Sequence, residues 1–80
     1  MKELLADLAK SIVNYPEKVI VNERNEDDTI ILDLKVDESD LGKVIGKQGR
    51  IAKAIRTLIR AVANKENKRV VVYILDKYDE

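Results

Sequence analysis

Apolar residues along this chain keep two rhythms, and the switches between them mark out the elements. Leu4, Leu5, Leu8, Ile12 and Val13 recur at spacings of three and four, with Lys2, Glu3, Asp7 and Lys10 elsewhere on the cylinder, which predicts a helix over residues 2–14. Tyr15-Pro16 ends it, because the residue before a proline is pushed out of the helical region. Residues 18–24 read as a strand and the polar run at 25–28 as a turn. Over residues 29–36, Ile30, Leu32, Leu34 and Val36 alternate against Asp33 and Lys35, which predicts the second strand of an antiparallel hairpin with one buried face. Asp37-Glu38-Ser39-Asp40 gathers cap-forming and acidic residues where a helix begins, so a short helix is expected at 38–45. Gly46-Lys47-Gln48-Gly49 interrupts it, and a longer helix over 50–64 follows at once. In that helix Ile51, Ile55, Leu58, Ile59 and Val62 fall on one side, and Lys53, Arg56 and Arg60 on the other. Residues 69–75, β-branched and apolar on both faces, read as a strand covered on both sides. The expected fold class is α+β, in the order α-β-β-α-α-β. A parallel pairing of the last two strands would put both central helices on one sheet face, with a right-handed crossover.

Eighty residues support one small core, so a single domain over 1–80 is expected. With no cysteine and no histidine there is no disulfide and no thiolate or imidazole metal ligand. A carboxylate-only metal site stays open, without a motif to support it. Lack of cysteine fits a reducing cytoplasm. Acidic Glu3 and Asp7 fall where an export signal needs a continuous apolar stretch, so no such signal is expected. The longest uncharged apolar run, 70–75, is far below the ~20 residues that cross a bilayer, and no membrane association is expected.

A formal net charge of zero conceals a segregation of charge. Residues 41–70 hold nine bases and one acid, a local +8, and the other fifty residues carry −8. The centre of the basic stretch is Val44-Ile45-Gly46-Lys47-Gln48-Gly49-Arg50. Glycines let the backbone approach a ligand closely, and the helix that follows starts with unpaired N–H groups, an arrangement suited to a phosphodiester backbone. Lys43, Lys47, Arg50 and Lys53 add positive potential that would release counterions on binding. The acids at 23–28, with Asp33, Asp37, Glu38 and Asp40, read as solubility and capping groups. Gly42 reads as a close helix-packing position more than as a ligand contact, and Lys65, Lys68 and Arg69 as complements to a helix C-terminus. Gly42 to Gln48 imitates a phosphate-binding Walker loop, but it is one residue short and lacks the Ser/Thr that would hold magnesium. Catalysis lacks its players, since Ser11 and Ser39 have no plausible base beside them, so no enzyme is expected. The only aromatics, Tyr15, Tyr73 and Tyr78, lie far from the loop in sequence, which argues against base reading by stacking.

This element order, with Val-Ile-Gly-x-x-Gly between the two middle helices, resembles the type II KH domain over essentially the whole chain. The stretch from Asp40 through Arg50 to Ala54-Ile55-Arg56-Thr57 resembles the signature of the small bacterial single-KH proteins of the KhpA family. The resemblance implies a three-stranded mixed sheet with helices packed on one face, and binding of single-stranded RNA, or less often DNA, about four nucleotides at a time. It also implies a role as RNA chaperone or post-transcriptional regulator. Position by position it makes Gly46 and Gly49 the loop glycines, Lys47 and Gln48 the residues facing the nucleic-acid backbone, and Val44 and Ile45 part of an apolar groove floor. KH domains often carry an isoleucine three residues after the second loop glycine, where this chain has Ala52 with Ile51 beside it. The family further implies self-association, for which Ala54, Ala61 and Ala63 would allow close helix contact, and pairing with a larger KH protein, KhpB. The competing reading is a protein-interaction or ribosome-assembly module whose GxxG loop is vestigial.

Overall fold

A computed structural model describes residues 1–75, and the side chain of Lys47 is left out of account. Six elements follow in the expected order: α1 (Lys2–Lys10), β1 (Ile20–Glu26), β2 (Thr29–Lys35), α2 (Leu41–Ile45), α3 (Arg50–Lys65) and β3 (Arg69–Ile74). The sheet order is β1-β2-β3, antiparallel between the first pair and parallel between the second. This is the mixed α+β arrangement of a type II KH domain, with all three helices in one core against one sheet face.

Helix α1 stops four residues before its expected end. The Ser11 hydroxyl donates to the Leu8 carbonyl and the Ile12 N–H turns back to Ala9, so the chain leaves the helix before Tyr15-Pro16. A single turn at Pro16–Lys18 then delays β1 by two residues. The hairpin needs only Asp27 and Asp28 for its reversal, at φ +50° and +63°. Two consecutive residues with positive φ match the right-handed twist of the flanking strands, which leaves Asn25 and Glu26 free to pair.

The core is built from Leu5 and Ala9 of α1, Leu32 and Leu34 of β2, Val44 of α2, Ile55, Ile59 and Ala63 of α3, and Val70 and Val72 of β3. Leu5, Leu32, Leu34 and Ile59 have no exposed surface. Burial of each such side chain stabilises by about 1.5–3 kcal/mol. Two readings of the sequence are corrected here. The buried stripe of α3 is Ala52, Ile55, Ile59 and Ala63, whereas Ile51 and Leu58 are 39% and 45% exposed. Small alanines let the helix axis approach the sheet, and the bulkier residues flank that contact. Strand β3 is covered on one face only, since Tyr73 on the other is 50% exposed. The last acid before α2 is also not a surface group. Asp40 is completely buried, and its two oxygens accept the N–H groups of Asn14 and Tyr15, each at 3.0 Å. Capping falls instead to Asp37, which accepts the N–H and hydroxyl of Ser39. These bonds, the hydroxyl's foremost, hold the Asp37 carboxyl below the usual carboxylate range.

β3 is an edge strand. Leu75 N–H donates to the Leu34 carbonyl at 3.0 Å, so by the alternation of a parallel ladder the backbone groups of Val70, Val72 and Ile74 point to the free edge. Arg56 reaches across from α3 and donates from Nε to the Val72 carbonyl at 3.1 Å. A charged side chain laid on an exposed edge also blocks pairing with a foreign strand.

Candidate nucleic-acid interface

The turn between α2 and α3 is made by three residues in the left-handed half of conformational space: Gly46 (φ +72°), Gln48 (φ +57°) and Gly49 (φ +73°). The two glycines are required to different degrees. At Gly46 a Cβ would come within 2.4 Å of Ile51 Cγ1 and 2.9 Å of its Cβ, so positive φ and close packing both demand glycine. At Gly49 only the dihedral does, since nothing lies within 4 Å of the same position. Ile51 therefore folds back over the turn, which accounts for an isoleucine at this flank position outside the core stripe. Gly42 has nothing within 4 Å of a Cβ and is exposed, so it is not a close-packing position.

Helix α3 begins directly at Arg50, with Gly49 as its N-cap, no side-chain cap and no acid in its first turn. Among the described residues, no side chain supplies an anionic partner to the N-terminal N–H groups and the positive end of the helix dipole. Lys43, Gln48, Arg50 and Lys53 are all exposed around this point. None of these cations is ion-paired among the described residues, where the only bridges join Arg24 to Glu26 and Asp33, and Lys68 to Glu66. The structure thus brings Lys43, Ile45, Gly46, Gln48, Gly49, Arg50 and Lys53 to one end of the molecule, with Lys47 in the bend between them. Val44 stands apart. It is wholly buried and supports the turn from the core, so only half-buried Ile45 of the expected floor pair is open to a ligand.

Beside the turn, the outward face of α3 forms an open depression of about 650 Å³ lined by Arg50, Lys53, Ala54, Thr57, Leu58 and Ala61. Of the three alanines suited to close helix contact, Ala54 and Ala61 line this depression, whereas Ala63 points into the core. Leu58 was missed, since its spacing from Ile51, Ile55 and Val62 suits a core stripe equally well. Of the aromatics, Tyr73 lies on the open sheet face, Tyr15 follows α1, and Tyr78 is outside the described residues. No group of three or more carboxylates that could hold a metal ion exists among the described residues.

A family model described as the KH domain of KhpA and KhpB matches residues 2–74. The RNA-binding protein KhpA of Clostridium perfringens is 63% identical over 75 residues, covering 94% of this chain and all of that protein. The proteins of the same name from Caldanaerobacter subterraneus and Aquifex aeolicus are 56% and 46% identical, covering 94% and 95% of this chain and 100% and 96% of their own lengths. Among solved structures, Aquifex aeolicus Era bound to GDP and tetrafluoroaluminate superposes with a TM-score of 0.64 at 19% identity. That match covers 91% of this chain but only 28% of the other, so the likeness is one of fold over a small part of a larger protein.

Proposed function

This chain belongs to the KhpA/KhpB family of KH domains, and from that premise we propose that it binds single-stranded RNA through the turn at residues 46–49. The observation that carries the reading is the uncapped start of α3 behind two positive-φ glycines, ringed by Lys43, Arg50 and Lys53, none of them ion-paired among the described residues. Phosphates would accept from the N-terminal N–H groups while the flanking cations supply attraction, and bases would lie against half-buried Ile45 and aliphatic neighbours. With no aromatic platform at the turn among the described residues, affinity is modest and sequence preference loose. The protein acts as a cytoplasmic RNA chaperone or post-transcriptional regulator and not as an enzyme. This is supported by the relatives' name as RNA-binding proteins.

The test is Lys47→Asp with Gln48→Asp. Two anions in the turn should abolish RNA binding while far-UV circular dichroism stays that of the wild type. A folded double variant with unchanged affinity sinks the reading and leaves the protein-interaction module.

A four-nucleotide footprint is weak alone, so binding through a pair of domains is part of the proposal. The α3 depression supports self-association, since Ala54 and Ala61 let a second helix approach and Leu58 offers a large exposed apolar side chain. A larger KhpB-type partner would use the same face. Leu58→Asp should leave a species of 9.1 kDa in equilibrium sedimentation where the wild type is twice that mass. A wild type sedimenting only as a monomer overturns the homodimer.

A further inference from the structure

We infer that the nucleic-acid track reaches beyond a four-nucleotide clamp to a second basic site formed by Arg60, Lys68 and Arg69, at the far end of the seam between α3 and β3. The inference rests on the reading of the turn as an RNA site and extends it. Helix α3 has three faces: the buried stripe, the outward depression, and a flank toward the free edge of β3 that carries Arg56 and Arg60. Arg56 occupies the middle of the seam, its Nε committed to the Val72 carbonyl. Arg60 lies one turn further, where it lines a pocket of about 180 Å³ together with Ala63, Asn64, Lys68, Arg69 and Val70. From Arg50 to Arg60 the helix rises about 15 Å.

Two observations set these cations apart from ordinary solvated charge. First, they are not needed to close the helix. Glu66 N–H and Lys68 N–H both donate to the Ala63 carbonyl, at 3.0 and 2.9 Å, and Asn67 N–H donates to Asn64 at 3.1 Å, with Asn67 at φ +57°. The Ala63 and Asn64 carbonyls at the end of α3 are therefore satisfied by main chain, in the manner of a left-handed C-cap. Second, they are almost uncompensated. Arg56, Arg60 and Arg69 have no ion-pair partner among the described residues, and the one carboxylate at the seam, Glu66, pairs with Lys68 at 3.7 Å with both side chains 54% exposed. Closely spaced cations repel one another, and a row of phosphates is the polyanion whose charge and linear form fit them. One strand reaching both the turn and this site has a footprint that exceeds the four nucleotides of a lone GxxG clamp.

The test compares a tetranucleotide with a decanucleotide of single-stranded RNA, using the variant Arg60→Gln, Lys68→Gln, Arg69→Gln. A control variant, Lys2→Gln, Lys10→Gln, Lys18→Gln, has the same net charge. All six side chains belong to exposed residues, so both variants should fold. The seam variant is expected to bind the tetranucleotide like the wild type and the decanucleotide several-fold more weakly. Its decanucleotide salt dependence should flatten by about 2 in log K against log salt, at about 0.7 per phosphate contact on a single strand. Equal decanucleotide affinity in seam variant and wild type, or an equal loss in the control, overturns the inference while the turn reading stands. Failure of the wild type to bind either length overturns both.

Discussion

Replacing Asp40 by alanine should cost the domain about 3–5 kcal/mol, because two charge-assisted bonds at about 1.5–3 kcal/mol each are lost and two partly buried N–H groups lose their acceptors. The carboxylate is fully buried and bridges residues 26 and 25 positions away in sequence, fastening the end of the α1 segment to the start of α2. A domain of this length has a total stability of only about 4–12 kcal/mol, so the loss is a large fraction of the whole. Asp40→Asn keeps the shape and one acceptor but turns an amide donor toward a second donor, so it should cost about 2 kcal/mol, between wild type and alanine. Urea unfolding followed by circular dichroism measures both, with an unchanged m-value confirming that the native state is the same. A loss below about 1 kcal/mol for Asp40→Ala would refute the argument, and so would an asparagine variant as unstable as the alanine one. RNA affinity, corrected for the unfolded fraction, should be unaltered, since Asp40 lies in the core and touches no ligand.

The two turn glycines should separate under substitution: Gly49→Ala costs roughly 1–2 kcal/mol through its left-handed dihedral alone, whereas Gly46→Ala costs more because the new Cβ meets Ile51. Ile51→Ala should restore part of the Gly46→Ala loss and none of the Gly49→Ala loss, and thermal unfolding of the double variants would show it. Ser39→Ala should move the Asp37 carboxyl up toward its ordinary value of 3.8, because the hydroxyl bond is the largest cause of its depression. A group depressed on folding contributes stability above its ordinary pKa that is lost as pH falls through the lowered value. The wild type should therefore lose this contribution at more acidic pH than the variant loses what remains, a difference readable by carboxyl carbon NMR titration.

Element order and loop position could be read from the sequence because each rests on local chemistry. Period-3.6 and period-2 patterns set the helices and the hairpin, and a glycine pair set among bases marks the turn between a short and a longer helix. What escaped depends on contacts distant in sequence. Four polar residues precede α2, and nothing local says that Asp40 turns inward while Asp37 stays out; the N–H groups that Asp40 meets come from Asn14 and Tyr15. On α3, one apolar stripe through Ile51, Leu58 and Val62 and another through Ala52 and Ala63 share Ile55 and Ile59. Only the sheet decides between them, and it selects the alanines because they allow closer approach. Val44 reads as a groove residue from its place in the motif, yet its neighbours in space are the core. Arg56 shows in the sequence only as a base opposite the apolar stripe, because its partner is a carbonyl on an edge strand sixteen residues away.

The most direct measurement is an amide NMR titration of the protein with short single-stranded RNA at two salt concentrations. Shifts concentrated at residues 42–53, weakening as salt rises, are what the account predicts. A well-dispersed spectrum without shifts in that segment would contradict it.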